Sequence, residues 1–172
     1  MFIQGAGTAE RTYDAIVVGS GISGGWAAKE LTEKGLTVLL LERGHNIEHA
    51  KDYVNAHKHP WEYPHRGGRT YAMGEAYPVL RRDYPLNEKN VAWWVDEKES
   101  PYTEVKRFDW YRGYHVGGRS LMWGRCSFRW SDLDYEANVK QGLGTDWPIR
   151  YADIEPWYSH VEKFAGIAGP KG

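Results

Sequence analysis

The chain has 172 residues, of which 41% are hydrophobic and 26% are charged, and its net charge is −1. A chain of this size typically forms one domain with a buried core, and the balanced charge gives no indication of nucleic-acid binding. The single cysteine, Cys126, excludes an internal disulfide, and no apolar run reaches the length that spans a membrane.

The first predicted elements form a strand–helix–strand unit near the N-terminus. Residues 15–18 and 37–41 are short apolar runs, and each predicts a buried strand of a parallel sheet. Between them, residues 22–33 carry helical spacing, and Gly35 fits the position that follows a helix. Strand, helix and strand within about 30 residues predict a βαβ unit with a right-handed crossover, and hence an α/β fold.

Three glycines with G-x-G-x-x-G spacing, Gly19, Gly21 and Gly24, lie where the first predicted strand ends and the helix begins. The first glycine allows a tight turn, the second lets a pyrophosphate approach the backbone, and the third lets helix and strand pack closely. The helix N-terminus, which includes Ser23, offers N–H groups and the positive end of its dipole to phosphates. This spacing therefore predicts a dinucleotide site.

Glu42 ends the second apolar run, about 20 residues beyond the first glycine, where a carboxylate can accept hydrogen bonds from ribose hydroxyls. Its charge disfavours a 2′-phosphate, although the neighbouring Arg43 leaves NADP open. Arg43 is included among the candidate cofactor-binding residues. Because NAD and FAD share the ADP half that this loop contacts, the loop alone does not distinguish them.

Residues 45–115 read as a loop-rich excursion within the predicted domain, and the segment VAWWV at 91–95 could form a strand or line a substrate entrance. Near the C-terminus the spacing predicts a helix that Asp153 caps and Gly166 ends. The predicted apolar face of this helix consists of Ile154, Trp157 or Tyr158, Val161 and Phe164.

A second glycine pair, Gly117 and Gly118, lies in RGYHVGGRSLMWGRCSFRW, and its small and aromatic neighbours suggest backbone passing close to a planar ligand. Together with DAIVVGSGISGGWAAKEL, VLLLERG and DWPIRYADIEPWYSHVEKFAGIAG, this segment resembles the glucose-methanol-choline (GMC) oxidoreductases, in particular their bacterial sugar and polyol dehydrogenase branch. The resemblance implies a Rossmann-like FAD-binding domain over residues 1–172. It also implies oxidation of CH–OH groups of a sugar, polyol or other alcohol by hydride transfer to flavin N5.

The resemblance further implies roles for individual residues. The glycine triplet would hold the FAD pyrophosphate, and Glu42 would hold the adenosine ribose. Gly117, Gly118 and Ser120 would lie against the pyrophosphate and the flavin ring, and Trp123 would border the isoalloxazine. Family members with a covalent flavin carry a histidine at the position of Met122, so we expect non-covalent FAD.

In this family the catalytic histidine and its His or Asn partner lie near the C-terminus of a longer chain, so no catalytic residue is predicted here. We expect an incomplete domain, either an N-terminal fragment or one piece of a split protein, that is inactive alone. The expected partners are a sugar or alcohol substrate, a missing C-terminal domain or partner chain, and an electron-acceptor protein. The compartment stays open between the cytoplasm and, with a partner, the periplasm.

Two alternative functions remain open from the sequence. One is an NAD-dependent dehydrogenase with the same βαβ start, against which the second glycine pair argues. The other is a non-catalytic nucleotide-binding subunit of a complex.

Other reactive side chains receive structural interpretations. His57, His59 and His65 lack carboxylate or cysteine partners in a metal-binding pattern, so no metal site is predicted. We expect His115, two residues before the second glycine pair, to fill the loop rather than to contact the cofactor. We expect Cys126 to be a buried and unreactive thiol.

Overall fold

The computed structural model describes residues 11–83 and 85–169. The chain divides into two compact units, residues 1–123 and residues 124–172. The first unit holds the βαβ unit and both glycine loops, and the second unit holds two helices. Within the described ranges, no helix is both long enough and apolar enough to cross a membrane.

The predicted strand–helix–strand unit is confirmed. β1 (Ala15–Val18) and β2 (Val38–Leu41) pair in parallel along their full length. α1 (Ile22–Glu33) connects the strands and packs against both of them. Gly35 follows α1 with a φ of +86°, a conformation that side-chain-bearing residues rarely adopt, and the chain turns there towards β2.

The prediction that both strands are buried is wrong: no residue of β1 or β2 is buried, and exposure is greatest on the sheet face opposite α1. Side chains alternate along a strand, so Val17 points towards α1, where it lies close to Gly24, and Ile16 and Val18 point away. Ile16 is 62% exposed, Val18 is 80% exposed and Leu41 is 47% exposed. The reason is that α1 covers one face of this two-stranded sheet, whereas the apolar runs predicted layers on both faces.

The middle region, residues 45–115, has little regular structure but contains the core of the first unit. Within the described residues it consists of irregular backbone, three short 3₁₀ helices and α2 (Tyr71–Ala76). Leu80, Leu86 and Trp94 form a buried cluster. Partly buried apolar side chains pack around this cluster: Met73, Tyr77, Val91, Tyr111 and Met122.

The strand considered for VAWWV does not form. Val91–Trp93 is a 3₁₀ helix, and the backbone becomes extended only at Trp94. The cause is the turn before it, because the Oδ1 atom of Asn90 accepts hydrogen bonds from the Asn87 N–H at 3.0 Å and from the Trp94 indole N–H at 3.3 Å. These local bonds wind the backbone, and Trp94 enters the core of the middle region.

The second unit contains α3 (Asp132–Gln141) and α4 (Tyr151–Ala165). Arg129, which precedes α3 in the chain, hydrogen-bonds two side chains of α4. Its guanidinium donates to both carboxylate oxygens of Glu162, at 2.8 and 2.7 Å, and to the Tyr151 hydroxyl at 3.0 Å. The hydrogen bonds and the charge of Arg129 lower the pKa of Glu162 below its usual range. A paired, planar interaction of this kind fixes the rotation of the helix.

The predicted end of α4 at Gly166 is confirmed, but the predicted cap at Asp153 is wrong. The helix begins at Tyr151, so Asp153 lies inside the first turn, where its carboxylate accepts the Arg150 N–H at 2.8 Å. Its charge is still placed favourably at the positive end of the helix dipole. On the predicted apolar face, Ile154, Tyr158 and Val161 are partly buried, whereas Trp157 and Phe164 are exposed.

Candidate functional site

The first glycine loop lies between β1 and α1. Gly19 has a φ of +90°, and its N–H donates to the Leu41 carbonyl at 2.7 Å. A Cβ added to Gly24 would lie 1.8 Å from the Gly19 carbonyl oxygen, whereas a Cβ added to Gly21 would have no atom within 4 Å. Packing therefore requires glycine at 24, while glycine at 21 leaves open space in front of the backbone.

The N-terminus of α1 presents its N–H groups to this open space. Gly21 occupies the N-cap position, and as a glycine it has no side chain that could accept hydrogen bonds from the first turn. The first N–H groups of a helix have no intrahelical acceptor. Together with the helix dipole, these groups can bind an anion.

The second glycine loop reaches the first one. Gly117 and Gly118 both have positive φ values, +90° and +54°, and a short 3₁₀ helix (Gly118–Leu121) follows. A Cβ added to Gly118 would lie 3.1 Å from the Cα atom of Gly21. A Cβ at 118 would therefore be tighter than an ordinary contact, and the two loops would have to shift slightly to admit it.

A cleft of about 510 Å³ opens beside the contact between the loops. Four predicted site residues of the first loop line it, namely Gly19, Gly21, Ser23 and Gly24, as do Ser120 and Trp123 of the second. Val18, Ile22, Arg119 and Met122 complete the described wall. The structure thus brings six predicted residues to one cleft, while Gly117 and Gly118 form the loop contact beside it.

Glu42 follows β2 directly and is tied to the first glycine loop. Its Oε2 atom accepts the Ser20 N–H at 2.7 Å and the Ser20 hydroxyl at 2.6 Å, and its Oε1 atom accepts the Gly44 N–H at 2.7 Å. Burial alone would raise the pKa of Glu42, but these hydrogen bonds outweigh burial and lower it. The carboxylate is therefore ionised at neutral pH, although it lies outside the wall of the cleft.

Arg43 also lies outside the cleft wall. Its guanidinium lies 3.9 Å from the centre of the Tyr114 ring and donates to the Tyr114 hydroxyl at 3.0 Å. Arg112, which is buried, donates to the same hydroxyl at 2.9 Å. The structure therefore places Arg43, the residue after Glu42, against the aromatic side chain of Tyr114.

Two residues of the site were missed by sequence reasoning. Ser20, between the first two glycines, contacts Glu42 and the second loop, and its position inside the motif was the available signal. Arg119 lines the cleft, and its guanidinium lies 5.8 Å from the Trp94 ring centre. Its signal was a cation directly after the glycine pair.

The expectation that His115 fills the loop agrees with the structure. It is 1% exposed and packs edge-on against Trp93, at 5.5 Å, and His45, at 6.1 Å. Burial and the neighbouring His45 lower the pKa of His115, so it is neutral at physiological pH. It is not part of the described cleft wall.

The predicted burial of Cys126 is wrong, because its side chain is exposed. The residue lies in irregular backbone before α3, and neither helix of the second unit covers it. Its sulfur lies 3.8 Å from the Gly124 carbonyl oxygen.

Two of the three histidines considered for a metal site contact other residues, and the third, His57, is exposed. His59 stacks on Trp61 with ring centres 4.4 Å apart, and the Nδ1 atom of His65 lies 2.8 Å from a carboxylate oxygen of Glu88. Among residues 11–83 and 85–169, no group of three His, Cys, Asp or Glu side chains is placed to hold a metal ion.

Comparison with known proteins identifies relatives along most of the chain. The chain is 30% identical over 166 residues to the 6'''-hydroxyparomomycin C oxidase of Streptomyces lividus, a match covering 95% of this chain and 24% of that protein. It is 30% identical over 154 residues to an oxygen-dependent choline dehydrogenase of Xanthomonas euvesicatoria (89% of this chain, 23% of the relative). It is 28% identical over 165 residues to the fructose dehydrogenase large subunit of Gluconobacter japonicus (92% and 28%). The chain thus spans about a quarter of the length of these relatives.

The family described as FAD dependent oxidoreductase matches residues 14–119. This range includes the βαβ unit, Glu42 and the second glycine pair. The predicted cofactor, FAD, and the predicted relationship to GMC oxidoreductases are confirmed. Because the match spans most of the first unit and both loops that meet at the cleft, the chain belongs to the FAD-dependent oxidoreductases.

Proposed function

We propose that this chain supplies the FAD site of an enzyme that oxidises a CH–OH group of a sugar, polyol or other alcohol. The observation that carries the proposal is the close approach of the two glycine loops beside one cleft, where a Cβ added to Gly118 would lie only 3.1 Å from the Cα atom of Gly21. One loop has the geometry of a dinucleotide site, and the other brings Ser120 and Trp123 to the same cleft. A ligand that extends from a diphosphate to a flat ring system can contact both loops.

The pyrophosphate would lie at the N-terminus of α1. The open space at Gly21 admits an anion to the N–H groups there, and the close packing of Gly24 on Gly19 holds the turn in shape. Arg119 is the cation in the described wall of the cleft, and it can offset the diphosphate charge. These three features fit a diphosphate group.

Glu42 would bind the adenosine ribose. A carboxylate offers about four acceptor positions, and the bonds from Ser20 and Gly44 occupy three of them. Because Glu42 is only partly buried, a ribose hydroxyl could reach its carboxylate, and the lowered pKa keeps the acceptor ionised. Arg43, stacked on Tyr114, would stand beside this ribose.

The flavin end would lie against the second loop, between Ser120 and Trp123. Bound flavin supplies the hydride acceptor for alcohol oxidation. Met122 lies in the cleft wall and also packs against the buried cluster of the middle region. Because a thioether cannot form the histidyl link, the proposal includes non-covalent FAD, which acid precipitation should release into the supernatant.

The substrate class follows from chemistry shared by the relatives. Their names refer to choline, fructose and hydroxyparomomycin C, all of which are hydroxyl compounds. One relative is named as a large subunit, which favours a partner chain for this protein too, and we propose that an electron-acceptor protein is among its partners. Since the proposed roles of the site residues are to bind and orient FAD, we propose that a further domain or partner provides the catalytic base and that residues 1–172 alone do not turn over substrate.

An anaerobic spectroscopic experiment tests the proposed function. The purified protein should carry a flavin absorption band, and a panel of sugars and alcohols should bleach it when the remaining domain or partner is supplied. Replacing Gly21 by Leu should abolish FAD retention, because the side chain would occupy the phosphate space. A protein that binds NAD and shows no flavin band would contradict the proposal. A protein that binds FAD tightly, but whose flavin band no sugar or alcohol bleaches, would favour a non-catalytic nucleotide-binding subunit.

A further inference from the structure

Ser20 connects three parts of the site through one side chain. Its hydroxyl donates to the Oε2 atom of Glu42 at 2.6 Å, and the same oxygen accepts the Gly117 N–H at 3.0 Å. The side chain is buried, with 9% of its surface exposed. The acid after β2 and the second glycine loop are thus joined by a continuous pair of hydrogen bonds.

We propose that Ser20 is a positioning residue that holds the second glycine loop in place for the flavin end of FAD, and this inference rests on the proposed function. A hydroxyl can donate one hydrogen bond while it accepts another, and both roles are used here. The carboxylate of Glu42 is a charged acceptor, which strengthens the bond and fixes the direction of the hydroxyl proton. The Ser20 oxygen then presents its lone pairs to the Gly117 N–H.

The geometry separates this role from that of Glu42. Without the hydroxyl, Glu42 still accepts the Ser20 backbone N–H at 2.7 Å and the Gly44 N–H at 2.7 Å, so the acid stays placed. The Gly117 N–H, in contrast, loses the Ser20 oxygen as its acceptor. Removal of the hydroxyl should therefore loosen the second loop while the adenosine side of the site stays formed.

The test compares FAD with ADP, which represents the half of the cofactor that contacts the first loop. In the Ser20→Ala variant we expect FAD affinity to fall by about tenfold or more, the loss typical of a buried group that loses its partner. ADP affinity should fall by less than about threefold, because the first loop and Glu42 remain in place. Isothermal titration calorimetry measures both. Ser20→Thr keeps a hydroxyl and should retain FAD affinity.

Ser127→Ala provides the matched control, because Ser127 is exposed in the second unit and its substitution should alter neither affinity. Equal losses for FAD and ADP in Ser20→Ala, or no loss for either, would overturn the role of Ser20. A wild-type protein that binds neither ligand would overturn the proposed function itself.

Hydrogen exchange provides a measurement that needs no variant. In the ligand-free wild-type protein the Gly117 amide should be protected, since it donates to a buried oxygen. In Ser20→Ala the Gly117 amide should exchange at least about tenfold faster, while the amides of α1 keep their protection. An unprotected Gly117 amide in the wild-type protein would refute the proposal even if the Ser20→Ala variant failed to fold.

Discussion

The βαβ unit and the middle region of the first unit differ in where their order comes from. The βαβ unit contains a 12-residue helix and two paired strands, yet Val18 in β1 is 80% exposed. The described part of the middle region has short 3₁₀ helices and one six-residue α-helix, yet Leu80 and Leu86 are each 1% exposed. Backbone hydrogen bonding orders the first, and side-chain burial orders the second. The cleft forms where the first glycine loop of the βαβ unit meets the second glycine loop, which packs on the middle region.

We expect the largest effect on stability from a substitution in the buried cluster of the middle region. Replacing Leu80 by Ala should lower the free energy of unfolding by about 2–5 kcal/mol, because it leaves a cavity in the buried cluster. Urea titration followed by tryptophan fluorescence measures this change. Val105→Ala is the control. Because Val105 is 97% exposed, this substitution should change the free energy of unfolding by less than about 0.5 kcal/mol. Equal effects of the two variants would show that the cluster does not stabilise the unit.

The next effect tests the backbone packing of the βαβ unit. Gly24→Ala should lower the free energy of unfolding by about 1–3 kcal/mol and weaken FAD binding, because the added Cβ would lie 1.8 Å from the Gly19 carbonyl. The neighbouring Gly25→Ala is a matched control: its Cβ would meet the Ser20 carbonyl oxygen at 3.5 Å, an ordinary contact. In a helix this change stabilises by up to about 1 kcal/mol. If both variants behaved alike, the close packing at 24 would be ruled out as the cause.

The two regions should respond oppositely to acid: as the pH falls, Glu42 in the first region should lose its contribution to stability, and Asp83 in the middle region should gain one. The pKa of Glu42 is lowered in the fold, so its contribution to stability is complete above its unfolded pKa of about 4.3 and is lost as the pH falls below it. Burial raises the pKa of Asp83, although Arg119 and Arg69 oppose the shift, so protonation of Asp83 favours the fold as the pH falls.

Two variants test these opposite signs in the unfolding free energy measured from about pH 7 to about pH 3. Glu42→Gln should make the loss of stability on acidification smaller than in the wild-type protein. Asp83→Asn should make that loss larger, because it removes the group that gains stability on protonation. If both variants changed the pH dependence of the unfolding free energy in the same direction, the opposite roles of Glu42 and Asp83 would be contradicted.

The smallest expected effect concerns the charge in the cleft. Arg119→Gln should weaken FAD binding by about two- to fivefold, because an exposed arginine gains little from an ion pair with phosphate in water. The difference from wild type should shrink at high salt. Fluorescence quenching of FAD measures it. Arg107→Gln is the control, since Arg107 is exposed and pairs with Asp109 in the middle region. An unchanged affinity would place the pyrophosphate away from Arg119.

The sequence predicted the βαβ unit well because its signals are local. Apolar runs, helical spacing and glycines lie within one short stretch, and α1 begins and ends at the predicted residues. The strand burial was predicted wrongly because an apolar strand implies cover on both faces, and burial depends on which layers surround it. The glycine at 24 could be assigned to helix–strand packing from its spacing alone.

The middle region could not be predicted to the same degree. The turn at VAWWV depends on where the Asn90 side chain points, which no period in the sequence reveals. The link from Ser20 to Gly117 joins residues far apart in the chain, so neither motif indicates it by itself. Arg119 was missed because a lone cation beside a glycine pair is common on any surface.

The hydrogen bond between Ser20 and Gly117 joins residues 97 positions apart, and this separation sets the order in which the site can form during synthesis. Ribosomes add roughly 5–20 residues per second, so the first glycine loop is made about 5–20 seconds before its partner loop exists. The pairing of β1 with β2 needs only residues 15–41 and can occur in that interval. A nascent chain can therefore hold the shape of a nucleotide loop well before the loop that would meet the flavin has been translated.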